Sequence, residues 1–414
     1  MQMHQTQPAW HPLSKHLFRF WGTYFIIYFY LSSFSFLWLP LVKWIAPLMG
    51  IHDEIAVNHN GSGDGLYYYI QLPAMLLVTL MISIVWAVID RKRKSYNRAL
   101  YWVWVAVRCV LGYYMLIYGF AKVFVSQFPA PTLHRLVQPY GMSSPMGLAW
   151  TFMGASPGFT IFTGFAEALG GTLLLFRQTV KAGALLSAAV LTVVVAMNFG
   201  YDIPVKIFSV HLLLAAVFII SPELPRLLLY LFTTGVVPAS TMYLHTFKKT
   251  GPRIAWTAAK IIVVLAVMVI IILQERDNRN WYAENGEQPP LYGVYTAELV
   301  THNNDTIPAQ LTDSTRWHYF IVQYNNRATV RYMNESYTYY TMQVDTTGGK
   351  VTITDVNNDK DTISMNYEEY DDMLVMSSYR ENDTTRTYLR RRDRKDFLLT
   401  NRGFHWVNEY PYNR

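Results

Sequence analysis

The chain has 414 residues, 52% of them hydrophobic and 15% charged, and a net charge of +7. Its charges gather in short runs and in the last third, which excludes a uniform soluble enzyme. Its one cysteine, Cys109, excludes an intrachain disulfide and a CxxC redox pair; in an apolar stretch such a residue acts as a small packing group.

Apolar stretches lie at about 18–39, 69–90, 101–125, 159–176, 182–199, 206–222 and 254–273. Each approaches the roughly 20 residues a helix needs to cross about 30 Å of hydrocarbon, so about seven spanning helices are expected, the sixth being the shortest. Leu224 to Val237 is apolar too, but Pro225 and Arg226 stand close to Pro222 and predict a segment lying along the interface. The N-terminus lacks a short apolar core followed by a small-residue cleavage site, so the first span is expected to stay rather than leave as a signal peptide.

Basic residues flank the spans rather than line one soluble face, which argues against nucleic acid. Lys15 and Arg19 precede the first span, and Arg91, Lys92, Arg93, Lys94 and Arg98 separate the second from the third. Arg177 and Lys181 follow the fourth; Arg226, Lys248, Lys249 and Arg253 follow the sixth. Every second connection is basic, and the positive-inside rule then puts the N-terminus in the cytoplasm and everything after Leu273 outside it.

An external loop at 40–68 contains HDEIAVNHNGSGDG. Its His, Asp and Glu residues match no defined ligand spacing, and glycines with Asn and Asp read as turns, so no metal is expected. Ser126 to Pro157, rich in Pro, Gly and aromatics, is expected to fold back over the bundle as a cap of short helices. Beyond the last span, WHYFIVQY, RATVRYM, YTYYTMQV, KVTITDV, DTISMNY, DMLVMSSY and TRTYLRRR alternate with hairpin turn residues. With LYGVYTAEL, which is similar to the opening strand of lipocalin-like barrels, they predict an antiparallel meander of about eight strands closed as a small barrel or sandwich. The ending FHWVNEYPYNR, aromatic and without helical period, is expected to pack on the barrel or the membrane surface.

The fold class is therefore multi-domain, a transmembrane helical bundle followed by an all-β domain. The expected parts are 1–99 with two leading spans, 100–222 as a four-helix membrane core, 223–275 as an interfacial segment and the last span, and 276–414 as the β-domain.

Ionisable side chains stand inside the apolar helices: Lys122 in YGFAKVF, Glu167 in GFAEALGG, and Asp202, Lys206 and His211 in NFGYDIPVKIFSVH. A charge at the bilayer centre costs at least about 2.5–3.5 kcal/mol on insertion scales, so such groups pair, snorkel or line a functional cavity. Helix rise places all five in the outer half of the membrane, where they could face one pocket. Arg108, about 21 Å toward the cytoplasm on the Lys122 face, instead reaches inner-leaflet headgroups. Glu167 needs a cation, Lys122 or Lys206, either for chemistry or as glue between helices; Gly164, Ala168 and Gly171 around it permit close approach. Asp202, Pro204 and Lys206 also read as a helix cap, a first-turn proline and a snorkelling lysine. His211 is the only histidine within a span, which excludes bis-histidine haem and haem–copper ligation by this chain alone. Tyr113, Tyr114, Tyr118, Trp150, Phe152 and Tyr201 could stack on a ring-bearing ligand or form an interfacial belt; Tyr118 and Tyr201 join the candidate set.

From Leu100 to Pro222 the chain resembles the DoxX and DoxD-like membrane proteins. The likeness rests on the G-x-x-K element Gly119 to Lys122 and on Glu167 ahead of Gly170 and Gly171. SPMGLAWTFMGASPGFTIFTGFAEALGG and NFGYDIPVKIFSVH look like the longer DoxX-like proteins of Bacteroidetes-type bacteria, which carry leading spans and an extracytoplasmic β-domain. The resemblance implies an inner-membrane accessory subunit linked to quinone-reducing or oxidative-stress systems. The sequence itself has no haem ligand pair and no flavin or nucleotide motif, so no intrinsic cofactor or catalytic residue is assigned, and a redox role would make it a quinone-linked oxidoreductase subunit. Its expected ligand is quinone-like or a lipid, and its expected partner a membrane or periplasmic redox protein. Two other readings are a small-molecule or lipid transporter, and a scaffold recruiting a partner through the β-domain.

Overall fold

The computed structural model describes residues 9–57, 61–238, 240, 243, 249–282, 288–380 and 383–413. Two compact units divide the chain, Met1–Gln127 with Thr160–Glu275, and Phe128–Phe159 with Arg276–Arg414.

Helices α1 (Pro12–Leu31), α2 (Ser35–Ile45), α3 (Leu66–Ile89) and α4 (Asn97–Val123) open the chain. Two short helices, α5 (Leu133–Leu136) and α6 (Pro145–Ala155), precede α7 (Pro157–Leu175), α8 (Val180–Gly200), α9 (Lys206–Ile220), α10 (Leu224–Phe232) and α11 (Thr250–Tyr282). Among the described residues six helical runs are long and apolar enough to cross a membrane, and up to seven if α1 with the bent segment after it counts as one. They mark a multi-pass membrane protein. On α3, Ile82, Ile84, Val85, Val88 and Ile89 are exposed, an apolar outer surface suited to lipid rather than water.

Two spans depart from the sequence expectation. The first apolar stretch is not straight: α1 ends at Leu31 and the chain turns by 116° into the next helical segment. Carbonyls freed by the break find donors, because the Trp38 indole N–H reaches Leu31 O at 2.8 Å and the Gln71 amide of α3 reaches Ser32 O at 2.8 Å. The sixth stretch, conversely, runs on: Lys206–Phe232 is one apolar helical run of 27 residues, in which a 3-10 turn at Ser221–Glu223 joins α9 to α10. Pro222 and Pro225 occupy first-turn positions, where no backbone donor is needed, and so do not break the path.

The helical unit has two cores. Val107 and Leu111 of α4, Ala184 and Leu191 of α8, and Leu212, Ala215 and Ala216 of α9 form one, with Phe25 and Leu174. Tyr24 and Tyr28 of α1, Trp38 and Val42 of α2, and Tyr67, Ile70 and Ala74 of α3 form the other.

The second unit is built on β1 (Gly293–His302), β2 (Asp305–Thr306), β3 (Trp317–Gln323), β4 (Arg327–Tyr332), β5 (Tyr337–Asp345), β6 (Lys350–Asp355), β7 (Asn358–Tyr370), β8 (Met373–Arg380) and β9 (Asp383–Arg392). Neighbours pair antiparallel in chain order apart from the two-residue β2, which pairs only with β1. β1 also pairs with β9, Tyr295 facing Arg391 and Val300 facing Thr387, so the sheet closes as an eight-stranded barrel rather than a sandwich. Asn325 and Asn326, at φ 60° and 52°, turn the chain between β3 and β4 in the left-handed region that Asn tolerates.

Residues 128–159 do form short helices, but they belong to the barrel's unit and not to the membrane core expected for 100–222. Leu133 packs with Val294, Ile321 and Phe397. Arg331, only 2% exposed, donates to Val137 O at 2.9 Å, and Arg394 donates to Pro131 O at 2.6 Å. A buried guanidinium needs acceptors; the Glu335 carboxylate supplies one for Arg331 and this segment's Val137 carbonyl another. After a final turn of helix, α12 (Leu398–Asn401), the aromatic ending does not pack on the barrel: Trp406 is 91% exposed and Phe404 and Tyr410 are exposed as well.

His134 in α5 lies 5.2 Å from the Tyr337 ring and 6.0 Å from Tyr339. Burial pushes its imidazole down to about 4, and the guanidinium groups of Arg331 and Arg135 add to the shift. Unfolded, it titrates near about 6.5. Its contribution is therefore complete above that pH and is lost as pH falls toward 4, because the undocked state then binds the extra proton. Amides 133–137 should exchange faster at about pH 5 than at about pH 7 after correction for intrinsic rates, and His134→Gln should remove that difference.

Candidate functional site

Close approach of two helices positions the central polar pair. Gly119 of α4 and Gly164 of α7 face each other: a Cβ on Gly119 would lie 2.6 Å from Ala168 N, and one on Gly164 would lie 2.7 Å from Gly119 O. Only hydrogen fits there, so the backbones meet as small residues allow in membrane bundles. Lys122 and Glu167 each stand three residues after one of these glycines, which brings both to the same seam. Lys122 Nζ lies 2.8 Å from Glu167 Oε2, and the two residues are 6% and 3% exposed. Lys122 Nζ is also 5.8 Å from the centre of the Tyr118 ring, within cation–π range.

One turn further, Val125 adopts φ 57° and α4 ends. The Ser126 hydroxyl sits there between Ala121 O, at 3.0 Å, and the Glu275 carboxylate of α11. Glu275 is buried. In the sequence it is inconspicuous, because QERDNRN looks like a chain leaving the membrane. The available signal was periodic: Val267, Ile271 and Glu275 repeat every four residues on one face of α11, and Ile271 packs with Leu116 and Ala168 beside the seam.

Asp202 and Lys206 form a second group. Lys206 Nζ lies 2.7 Å from Asp202 Oδ1 and 3.7 Å from Asp64 Oδ2. The expected cap is corrected: Asp64, from the GSGD loop, accepts from Lys206 N at 2.8 Å and Ile207 N at 3.0 Å, satisfying donors at the start of α9. Asp202 is exposed with φ 50°, and Pro204 precedes the helix. The 40–68 loop has the composition of turns, which hides this role; its turn glycines leave Asp64 free to reach another element.

His211 belongs to a third place. Its Nδ1 faces Ile207 O at 2.6 Å, its Nε2 faces the Tyr24 hydroxyl at 2.7 Å, and its ring stacks on Tyr28 at 3.7 Å. A carbonyl only accepts, so Nδ1 carries the hydrogen and, in the neutral ring, Nε2 accepts from Tyr24. Tyr24 and Tyr28 were not candidates from sequence. Tyr201 is exposed, and Tyr114 packs edge-on against Phe208 at 4.8 Å. Arg108 is buried with its guanidinium 5.0 Å from the Trp104 ring, not extended toward headgroups. The structure thus joins Lys122, Glu167 and Tyr118, joins Asp202 with Lys206, and sets His211 apart.

Beside the seam runs an apolar groove of about 370 Å³, lined by Cys109, Tyr113 and Leu116 of α4, Leu175 of α7, and Trp256 and Val263 of α11, among others. Lys260 of α11 also lines it and donates to Leu175 O, at the C-terminal end of α7. No cluster of three His, Cys, Asp or Glu residues able to hold a metal occurs among the described residues.

A similar protein is the uncharacterized protein YwoB of Bacillus subtilis (strain 168), 33% identical over 106 residues, which make up 26% of this chain and 67% of that protein. The chain belongs to the family of YwoB. No family model and no solved structure matches it.

Removing one partner of the buried pair leaves an uncompensated charge. Lys122→Met should lower stability by about 3–5 kcal/mol, whereas the double variant Lys122→Met with Glu167→Met should stay near the parent, as read from reversible unfolding in mixed micelles. Gly164→Val tests the seam itself: overpacking should cost about 1–3 kcal/mol in the same assay.

Proposed function

We propose that this member of the YwoB family is a DoxX/DoxD-like accessory subunit that binds a quinone-like or lipid ligand in the bundle and serves membrane redox or envelope stress functions. The observation that carries the reading is the Lys122–Glu167 pair, 2.8 Å apart and almost wholly buried, with the Tyr118 ring beside the ammonium. Such a pair is costly to desolvate, and within the membrane it supplies a donor and a proton-accepting carboxylate for a carbonyl-bearing ring. The groove along α4 and α11 adds room for an apolar tail; Leu116 in its wall packs with Ile271 and with Ala168, the residue after Glu167. Electrons, where they move, pass through the ligand or a membrane or periplasmic partner protein.

The basic residues beside alternate spans support an inner-membrane orientation with the N-terminus cytoplasmic and the barrel extracytoplasmic. Under this orientation the pair lies toward the outer leaflet.

The glycine seam favours a second reading, in which the pair only fixes helix packing. Mass spectrometry of small molecules carried through gentle purification separates the two. The parent should retain a quinone or lipid that Glu167→Gln loses, and the swap Lys122→Glu with Glu167→Lys should recover stability without recovering the ligand. Identical small-molecule content in parent and variants would leave the packing role alone standing.

A further inference from the structure

The barrel is filled at one end and hollow at the other. Inward positions on β8 run Leu374, Met376, Ser378, and on β9 they run Leu389, Thr387, Thr385, so the wall passes from apolar to polar toward the end where β1 finishes at His302. Leu374 and Leu389 are fully packed with Phe320, Val330 and Ile353. Beyond them opens a cavity of about 660 Å³, within the size range of small-molecule sites.

Its wall pairs an apolar side, including Trp317, Ile363, Met365 and Met376, with one permanent cation, Arg316. Arg316 is 7% exposed. Its Nη1 donates to Ile307 O, but its Nε has no acceptor, and no carboxylate forms an ion pair with it among the described residues. Two carboxylates stand near: Asp313, whose charge acts on Arg316 without an ion-pair contact, and Asp383, which itself lines the cavity. Asp313 accepts from Thr315 N at 2.7 Å, Thr315 Oγ1 at 2.8 Å and Arg316 N at 3.0 Å. Asp383 accepts from the Asn303 amide at 2.8 Å and lies 3.8 Å from His302 Nε2. A desolvated guanidinium with an open donor is a poor end state for a protein interior and a good receptor for an anion of planar, forked geometry.

We propose that the mouth of the barrel binds an amphipathic monocarboxylic acid, its carboxylate on Arg316 and its apolar body along Trp317, Met365 and Met376. The unpartnered Arg316 Nε has room for a single carboxylate, since Asp383 already brings one negative charge to the wall, and the methionines adapt to chains or rings of varied shape. The site stands apart from the Lys122–Glu167 reading and does not depend on it.

Full-length protein in lipid nanodiscs, dialysed against radiolabelled decanoate or decanol with protein-free nanodiscs as background, tests the assignment. Decanoate should bind saturably, one per chain, and more tightly than decanol. Arg316→Gln should weaken decanoate by about tenfold to a hundredfold and leave decanol unchanged. Ser378→Trp, which keeps Arg316 but fills the mouth, should abolish binding of both, and it decides the matter if Arg316→Gln proves misfolded by thermal unfolding. Absence of saturable decanoate binding, equal affinity for acid and alcohol, or undiminished binding by a folded Arg316→Gln or Ser378→Trp protein overturns the proposal.

Discussion

The seam between α4 and α7 constrains the rest of the helical unit. Two glycines bring the backbones so close that any side chain there would collide with main-chain atoms. That approach then fixes Lys122 against Glu167. Distance is the decisive quantity, because an ion pair excluded from water offsets its desolvation only with good geometry and further polar support. The Tyr118 ring supplies some of that support. α11 joins on the same side through Ile271, and its Glu275 meets Ser126 where α4 ends.

Much of this was legible in the sequence, for identifiable reasons. Lys122 and Glu167 stood out because charge is rare in apolar helices, and small residues around Glu167 announced the close packing. The eight barrel strands were readable from period-two alternation broken by Asn, Asp and Gly turns. What escaped was long-range pairing. Asp64 caps a helix more than a hundred residues away, and nothing in GSGD names its target. Asp202 was the natural candidate because it is local, yet its left-handed backbone carries it out to solvent.

Bends and continuations escaped as well, since hydropathy counts residues and not direction. The stretch from 18 to 39 has the composition of a span but turns sharply where Trp38 and Gln71 accommodate the exposed carbonyls. The prolines at 222 and 225 suggested a stop, but they fall where a helix tolerates them. Similarly, the aromatic segment 128–159 read as apolar enough to cover the bundle; in the structure its carbonyls accept from the buried Arg331 and the half-buried Arg394 of the barrel's unit.

That placement makes the second unit discontinuous in the chain, and biosynthesis must respect the order. Residues 128–159 leave the ribosome before α7 through α11, and the strands that receive them come only after Arg276. The nascent segment must therefore wait, with Leu133 uncovered, while the remaining spans are inserted. Closure of β1 on β9 needs strands made after α11, so barrel completion follows synthesis of every span.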